Sequence, residues 1–313
     1  MQKTHAQSAT ILYHLTGIKA VLDSFILSCR VDGLSPSTIK NYQYIIGKFT
    51  FSCWESGLYE AGEVRADNVR LFFLKMQETN NPTSMSDYHK AVRRFFNWLV
   101  AEGFIEKNPM TTIRAPRKEY KVVQPFTQQD VNNILAVCSG PRFLDIRNTA
   151  MVLVFLDTGI RLSENAALNT FDVDFNHESV KIHGKGAKER YVRIGKATQK
   201  ALLKYLLTRR NVTDVALWLS EEFRPLTKDG IQSTVKALCS RAGVENVKKG
   251  PHTFRHTFAI NFLRNGGDVF SLQIILGHST LAMTRRYVSS LGTEDAFKSH
   301  KKASPVDRMF DSR

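Results

Sequence analysis

The chain has 313 residues, 42% hydrophobic and 23% charged, which gives apolar material for two packed domains and excludes a disordered chain. Its formal charge is +15, and both parts share the excess: residues 1–124 carry 16 basic and 11 acidic side chains, residues 125–313 carry 28 and 18. That balance points to a long polyanion gripped by two globular parts, with nucleic acid favoured over a merely solvated basic surface, and no apolar run approaches the ~18–20 residues that span a bilayer.

After a polar start of about 14 residues, Val21, Leu22, Phe25 and Ile26 recur at helical spacing. Ser35-Pro36 then reads as a cap and first turn for a second helix carrying Ile39, Tyr42, Ile45, Ile46 and Phe49. Asp67 is the cap expected for a third helix, marked by Leu71, Phe72, Leu74 and Met76. Ala91, Val92, Phe95, Phe96 and Leu99 mark a fourth, ending near Gly103. Residues 1–106 are thus expected to form a compact helical bundle. Lys40, Arg93 and Arg94 are candidates on it for contact with a phosphate backbone, against the ordinary alternative of solvated surface charge.

Residues 107–124 carry Pro109, Pro116, Arg114, Arg117, Lys118 and Lys121 with little apolar periodicity. They read as an extended basic linker able to lie along DNA. Helical periodicity returns after Pro125: Thr127 opens one helix, a strongly apolar one covers Arg147–Leu156, and Gly159 ends it. Phe171–Phe175, Val180–His183 and Tyr191–Ile194 alternate as strands, the last two flanking the turn Gly184-Lys185-Gly186-Ala187-Lys188. The fold class is therefore mainly α with a small antiparallel β-sheet, in two domains. The second covers 125–290, and 291–313 is a polar tail with Phe297, Met309 and Phe310 as candidate anchors.

Cys29, Cys53, Cys138 and Cys239 are scattered without CxxC spacing, which suits buried, reduced thiols rather than a zinc site or redox pair. With no signal-peptide pattern at the N-terminus, the expected location is the cytoplasm of a bacterium or archaeon, beside the nucleoid.

Chemistry concentrates in the second domain. His252 and Arg255 are three apart and share a face of an apolar helix, a poor place for an arginine unless it lines a site or answers an acidic partner. His252 and His256 also have i, i+4 metal-ligand spacing, but Thr253 stands where an HExxH motif needs glutamate. His278 follows in Leu276-Gly277-His278, and Tyr287 comes nine residues later. A packed tyrosine with a satisfied hydroxyl is the bland alternative there. Arg161 lies in a turn past a buried helix, and Lys185 sits between two glycines that permit close approach to a backbone.

TGIRLSE (158–164), GKGAKER (184–190), HTFRHTFA (252–259), LGH (276–278) and Tyr287 stand in an order and spacing that resembles the tyrosine recombinases, the phage-type or Xer-like integrases. The resemblance covers the catalytic half, and the N-terminal part looks like that family's core-binding domain. It implies a set of Arg161, Lys185, His252, Arg255 and His278 around a nucleophilic Tyr287, with Lys185 favoured over Lys188 as the acid for the departing 5′-oxygen, Glu164 orienting the site, and no metal or other cofactor; Lys188 is a further candidate for DNA contact. It further implies strand exchange on double-stranded DNA bearing inverted-repeat sites by a homotetramer spanning two duplexes, with an accessory or partner recombinase in some systems and the tail as a protomer-exchange segment. A type IB topoisomerase and a non-catalytic DNA-binding regulator are the competing readings. Asn165 departs from the family's usual aliphatic residue, and Phe254 from its leucine.

Overall fold

The structure is a computed structural model that describes residues 17–116, 124–184, 189–209 and 212–310. The chain divides into two units, 1–120 and 121–313.

The first unit is built from α1 (Ile18–Val31), α2 (Pro36–Glu55), α3 (Ala66–Gln77) and α4 (Pro82–Ala101). Ser35 Oγ accepts from the Thr38 N–H and Asn81 Oδ1 from the Ser84 N–H, each ahead of a proline in the first turn. Phe25, Phe49, Phe95 and Phe96 fill the centre, with Phe25–Phe95 and Phe49–Phe96 packed edge to face. Two expectations for α3 are corrected. Asp67 lies inside the first turn and pairs with Arg70 at 2.6 Å, whereas the Asn68 side chain accepts from the Arg65 N–H at the helix start. The buried face is Val69, Phe72 and Phe73, leaving Leu71 and Leu74 exposed, because the stripe that meets α2 and α4 begins at Val69.

The expected linker is also shorter at its start. Residues Pro109–Thr112 form a 3-10 turn capped by Asn108, and Met110 and Ile113 are buried in the core of the first unit. Two apolar anchors three residues apart suffice to pin a segment too short to show periodicity.

The second unit begins with α5 (Gln128–Ala136), capped by Thr127 and Asp130, and α6 (Phe143–Thr158). A short helix α7 (Leu162–Ala166) leads to a three-stranded antiparallel sheet ordered β1 (Val173–Asp174), β2 (Ser179–His183) and β3 (Glu189–Arg193). The first strand is only two residues long, because Thr170–Asp172 closes as a 3-10 turn that the Asp172 carboxylate caps at Asn169. α8 (Lys196–Thr208), α9 (Lys228–Arg241), α10 (Pro251–Arg264), α11 (Val269–Leu276) and α12 (Leu281–Val288) complete the body.

The tail is helical, with α13 (Thr293–Ala303) and α14 (Pro305–Phe310). Asp295 accepts from the Gly292 N–H and pairs with Arg264 at 3.1 Å. Phe297, Met309 and Phe310 are exposed rather than anchored on their own domain. α13 is polar on most positions, so capping and this ion pair, not burial, hold it.

Candidate active site

Arg161 owes its place to the end of α6. Gly159 adopts φ +58°, and a Cβ there would collide with Phe258 and Leu276. The chain then turns into α7, where Glu164 Oε2 accepts from the Arg161 N–H at 2.9 Å and Oε1 from Arg161 Nη1 at 2.8 Å. Burial alone would raise the Glu164 carboxyl, but bonds from Arg190 and Arg161 overcome it and hold it down to about 2.

Arg255 projects from α10 and is 3% exposed. It donates to Gly159 O at 2.6 Å, Leu276 O at 2.8 Å and His278 Nε2 at 2.9 Å. Burial and the nearby Arg161 lower it to about 10, so it remains charged at neutral pH. Arginine only donates, so His278 Nε2 is an acceptor and the ring proton sits on Nδ1, directed at Thr284 Oγ1 2.8 Å away. Burial and four neighbouring arginines, Arg255 foremost, depress His278 to about 3.

The last carbonyls of a helix have no partner within it and carry its negative end. At the end of α11, three successive ones each accept from a different arginine: Ile275 O from Arg190 Nε at 2.8 Å, Leu276 O from Arg255, and Gly277 O from Arg161 Nη2 at 3.3 Å. Gly277 itself is left-handed, with φ +63°.

Tyr287, on α12, has no exposed surface. His278 stacks on its ring with an interplanar angle of 6° and His256 meets it edge-on at 5.0 Å. Its hydroxyl accepts from Arg286 Nη2 at 3.1 Å. Burial, Arg286, His252 and Arg255 push His256 down to about 4. His252 stands at the exposed rim, its value lowered by partial desolvation and then by Arg255, Arg286 and Lys248. All three histidines are thus neutral at pH 7.

The fold therefore brings Arg161, Glu164, Arg255, His278 and Tyr287 together, with His252 at the edge. Lys185, Lys188, Arg117 and Lys118 lie outside the described residues. In the first unit Lys40 and Arg93 are exposed, and Arg93 lines an open cleft of about 610 Å³ with Lys90 and Asn97. Arg94 pairs with Asp32 at 3.0 Å and leans on the Tyr42 ring, so part of its donor fork is already committed. Asn165 is fully buried and its Oδ1 accepts from Trp218 Nε1 at 2.7 Å, while Phe254 packs edge-on against Phe126.

Sequence reading gives Arg190 and Arg286 no place in the site and weighs His256 only as a metal ligand. A signal for Arg190 existed: it shares the inward register of β3 with Val192, opposite buried Ile182, so a charge occupies an apolar face.

Residues 124–294 match the family model of the phage integrase family, and residues 21–105 that of the phage integrase N-terminal SAM-like domain. The chain belongs to the phage integrase family. It is 30% identical over 283 residues to tyrosine recombinase XerC of Anoxybacillus flavithermus, covering 87% of this chain and 94% of that one. To tyrosine recombinase XerD of Listeria monocytogenes it is 30% identical over 276 residues, 85% and 93% of the two chains. Among solved structures, XerA recombinase matches at 25% identity with a TM-score of 0.52 over 92% of this chain and 99% of the other. The Tn1549 transposon integrase, solved with a circular intermediate DNA, matches at 17% identity with a TM-score of 0.72 over 92% and 99%, a likeness of fold. This tyrosine recombinase is an enzyme of site-specific DNA recombination that cleaves DNA by means of a tyrosine. Among the described residues no helix is long and apolar enough to cross a membrane.

Proposed function

We propose that Tyr287 is the nucleophile and that Arg161, Lys185, His252, Arg255 and His278 serve it. Tyr287 Oη attacks the scissile phosphorus as the bond from phosphorus to the 5′-oxygen breaks, leaving a 3′-phosphotyrosine and a free 5′-hydroxyl. His252, neutral at pH 7, takes the phenolic proton, and Lys185 supplies one to the departing oxygen. Arg161 and Arg255 hold the non-bridging oxygens, where charge grows in the transition state. His278 joins them once substrate draws Arg255 away from its Nε2 and the ring proton moves from Nδ1 to Nε2, Thr284 Oγ1 then donating to Nδ1. Attack by another strand's 5′-hydroxyl reverses the chemistry, so the ester conserves the energy of the broken linkage without ATP. The observation that carries this reading is the convergence of Arg161 and Arg255 on the turn that bears His278, with the Tyr287 ring stacked on that histidine.

The finer biology belongs to the same proposal. Two basic units, with Lys40, Arg93, Arg94, Arg117, Lys118 and Lys188 towards the backbone, grip inverted-repeat sites in the cytoplasm. Four protomers assemble on two duplexes, alone or with a partner recombinase. Phe297, which is 70% exposed, and exposed Val306, Met309 and Phe310 favour this over a single-protomer topoisomerase, because unburied apolar side chains on a terminal helix suit a neighbouring protomer.

A nicked suicide duplex, incubated in EDTA and resolved on a denaturing gel, tests the reading. A covalent adduct whose modified peptide contains Tyr287 is expected. Its absence, or linkage through another residue, overturns the assignment. A second labelled duplex separates recombination from topoisomerase action, since only the former joins the two.

A further inference from the structure

The Glu164 carboxylate is gripped from two sides. Arg161 takes Oε2 through its backbone N–H and Oε1 through Nη1, and Arg190 takes the same two oxygens through Nη2 and Nη1, at 2.9 and 3.1 Å. The Arg190 Nε is spent on Ile275 O. Three of the five N–H donors of Arg190, with at least one from each nitrogen, are thereby used inside the site.

Stability alone gives little reason for such a residue. A buried ion pair is weak evidence of stabilisation, because well-packed apolar side chains serve a core as well or better. A planar fork does what an apolar side chain cannot: it fixes the rotation of the carboxylate it faces. Arg161 hangs on that carboxylate, and its remaining contact, Nη2 to Gly277 O at 3.3 Å, is long enough to be exchanged for a phosphate oxygen. Arg190 also holds Ile275, two residues before Gly277 and three before His278. The same guanidinium therefore sets both the arginine and the turn opposite it.

We infer that Arg190 is a positioning residue for strand cleavage: through Glu164 it aims Arg161, and through Ile275 it fixes the turn that presents His278, so that both address one phosphate. This rests on the proposal that Arg161 grips the scissile phosphate.

The test is single-turnover adduct formation on the suicide duplex by the full chain, for wild type, Arg190→Lys, Arg161→Lys and the double variant. Arg190→Lys keeps the charge and loses the fork. It is expected to stay folded at the assay temperature and bind the duplex like wild type, yet form adduct about 100-fold more slowly, the scale of loss that follows a misplacement of about 1 Å. Because Arg190 acts partly through Arg161, the double variant loses less than the product of the two single losses, whereas a general loosening of the domain multiplies them. A wild-type rate for Arg190→Lys, or multiplied losses, overturns the inference. If Arg190→Lys does not fold, the pair Glu164→Gln/Arg190→Gln removes both buried charges. Slow cleavage by that folded, DNA-binding pair supports positioning, while a wild-type rate, or loss of folding there too, assigns Arg190 to structure alone. A wild-type protein that forms no adduct overturns the proposed function instead, a result separate from any failure of the variants.

Discussion

The Tyr287 hydroxyl accepts a hydrogen bond from its own neighbour, Arg286, at 3.1 Å, and the same guanidinium lies 5.0 Å from the phenol ring centroid. With no surface exposed, the phenol reaches a phosphate only after α12 or the rings around it shift. Tyr287→Phe keeps the ring between His256 and His278 and loses only the oxygen. Adduct formation is expected to vanish, DNA binding by gel shift to stay within about 2-fold, and stability to fall by about 1 kcal/mol, the usual net worth of one hydrogen bond. Loss of DNA binding with the hydroxyl would make Tyr287 a structural residue.

Lys185→Ala is expected to slow cleavage by about 10²–10⁴-fold on ordinary DNA, the range for a lost general acid. On a duplex with a 5′-thio leaving group, which needs no proton, the variant recovers to near the wild-type rate. A defect that persists on the thio duplex moves the acid role to another side chain, with Lys188 first in line.

Acid should loosen the catalytic unit from pH 6.5 downward. His256 at about 4 and His278 at about 3 lie below the ordinary 6.5, so the unfolded chain binds protons that the native site refuses. Stability from these groups is full above 6.5 and is lost as pH falls through their folded values. Glu164, at about 2, adds a separate loss beginning near 4.5, the group contributing ~3 kcal/mol above that pH. Urea unfolding at stepped pH measures both windows. His256→Gln should flatten the upper one, and an unchanged slope would show that this histidine titrates normally.

Gly277→Ala brings two penalties to one position. The left-handed backbone costs a non-glycine residue about 1–2 kcal/mol, and the new Cβ would lie 3.1 Å from Arg190 Nη1. Adduct formation should fall further than thermal stability predicts, since the displaced group is Arg190. An Ala variant that cleaves normally would show that the turn tolerates the shift.

Asn165→Leu restores an aliphatic side chain but strands the indole N–H of Trp218, which Asn165 Oδ1 now accepts. A loss of about 1–3 kcal/mol is expected. Adding Trp218→Phe should recover part of it, because both partners then become apolar. Chemical denaturation of the two variants reads the difference, and equal stability of Asn165→Leu and wild type would contradict the argument.

Much of the fold was legible because its signals are short-range. Ser35-Pro36 and Thr127 cap helices as their side chains dictate, Gly159 and Gly277 stop helices where left-handed backbone is needed, and β2 and β3 alternate with a period of two. Short-range signals failed for α3, where Leu71 and Leu74 carry helical spacing yet face solvent, and for Met110 and Ile113, whose burial depends on a bundle already assembled. Phe297, Met309 and Phe310 fail as anchors on their own domain because apolar character announces a partner without saying whose.

By itself the sequence determined which chemical groups this recombinase carries and the helices and strands that bear them, since capping, periodicity and motif spacing act within a few residues. The tertiary structure alone decided their partners. Arg161 meets Gly277 across 116 residues, Arg255 meets Gly159 across 96, and Arg190 meets Glu164 across 26. Contacts at those separations exist only once the chain has closed around its core, so the partners of Arg190, Glu164 and Ile275, show only in the fold.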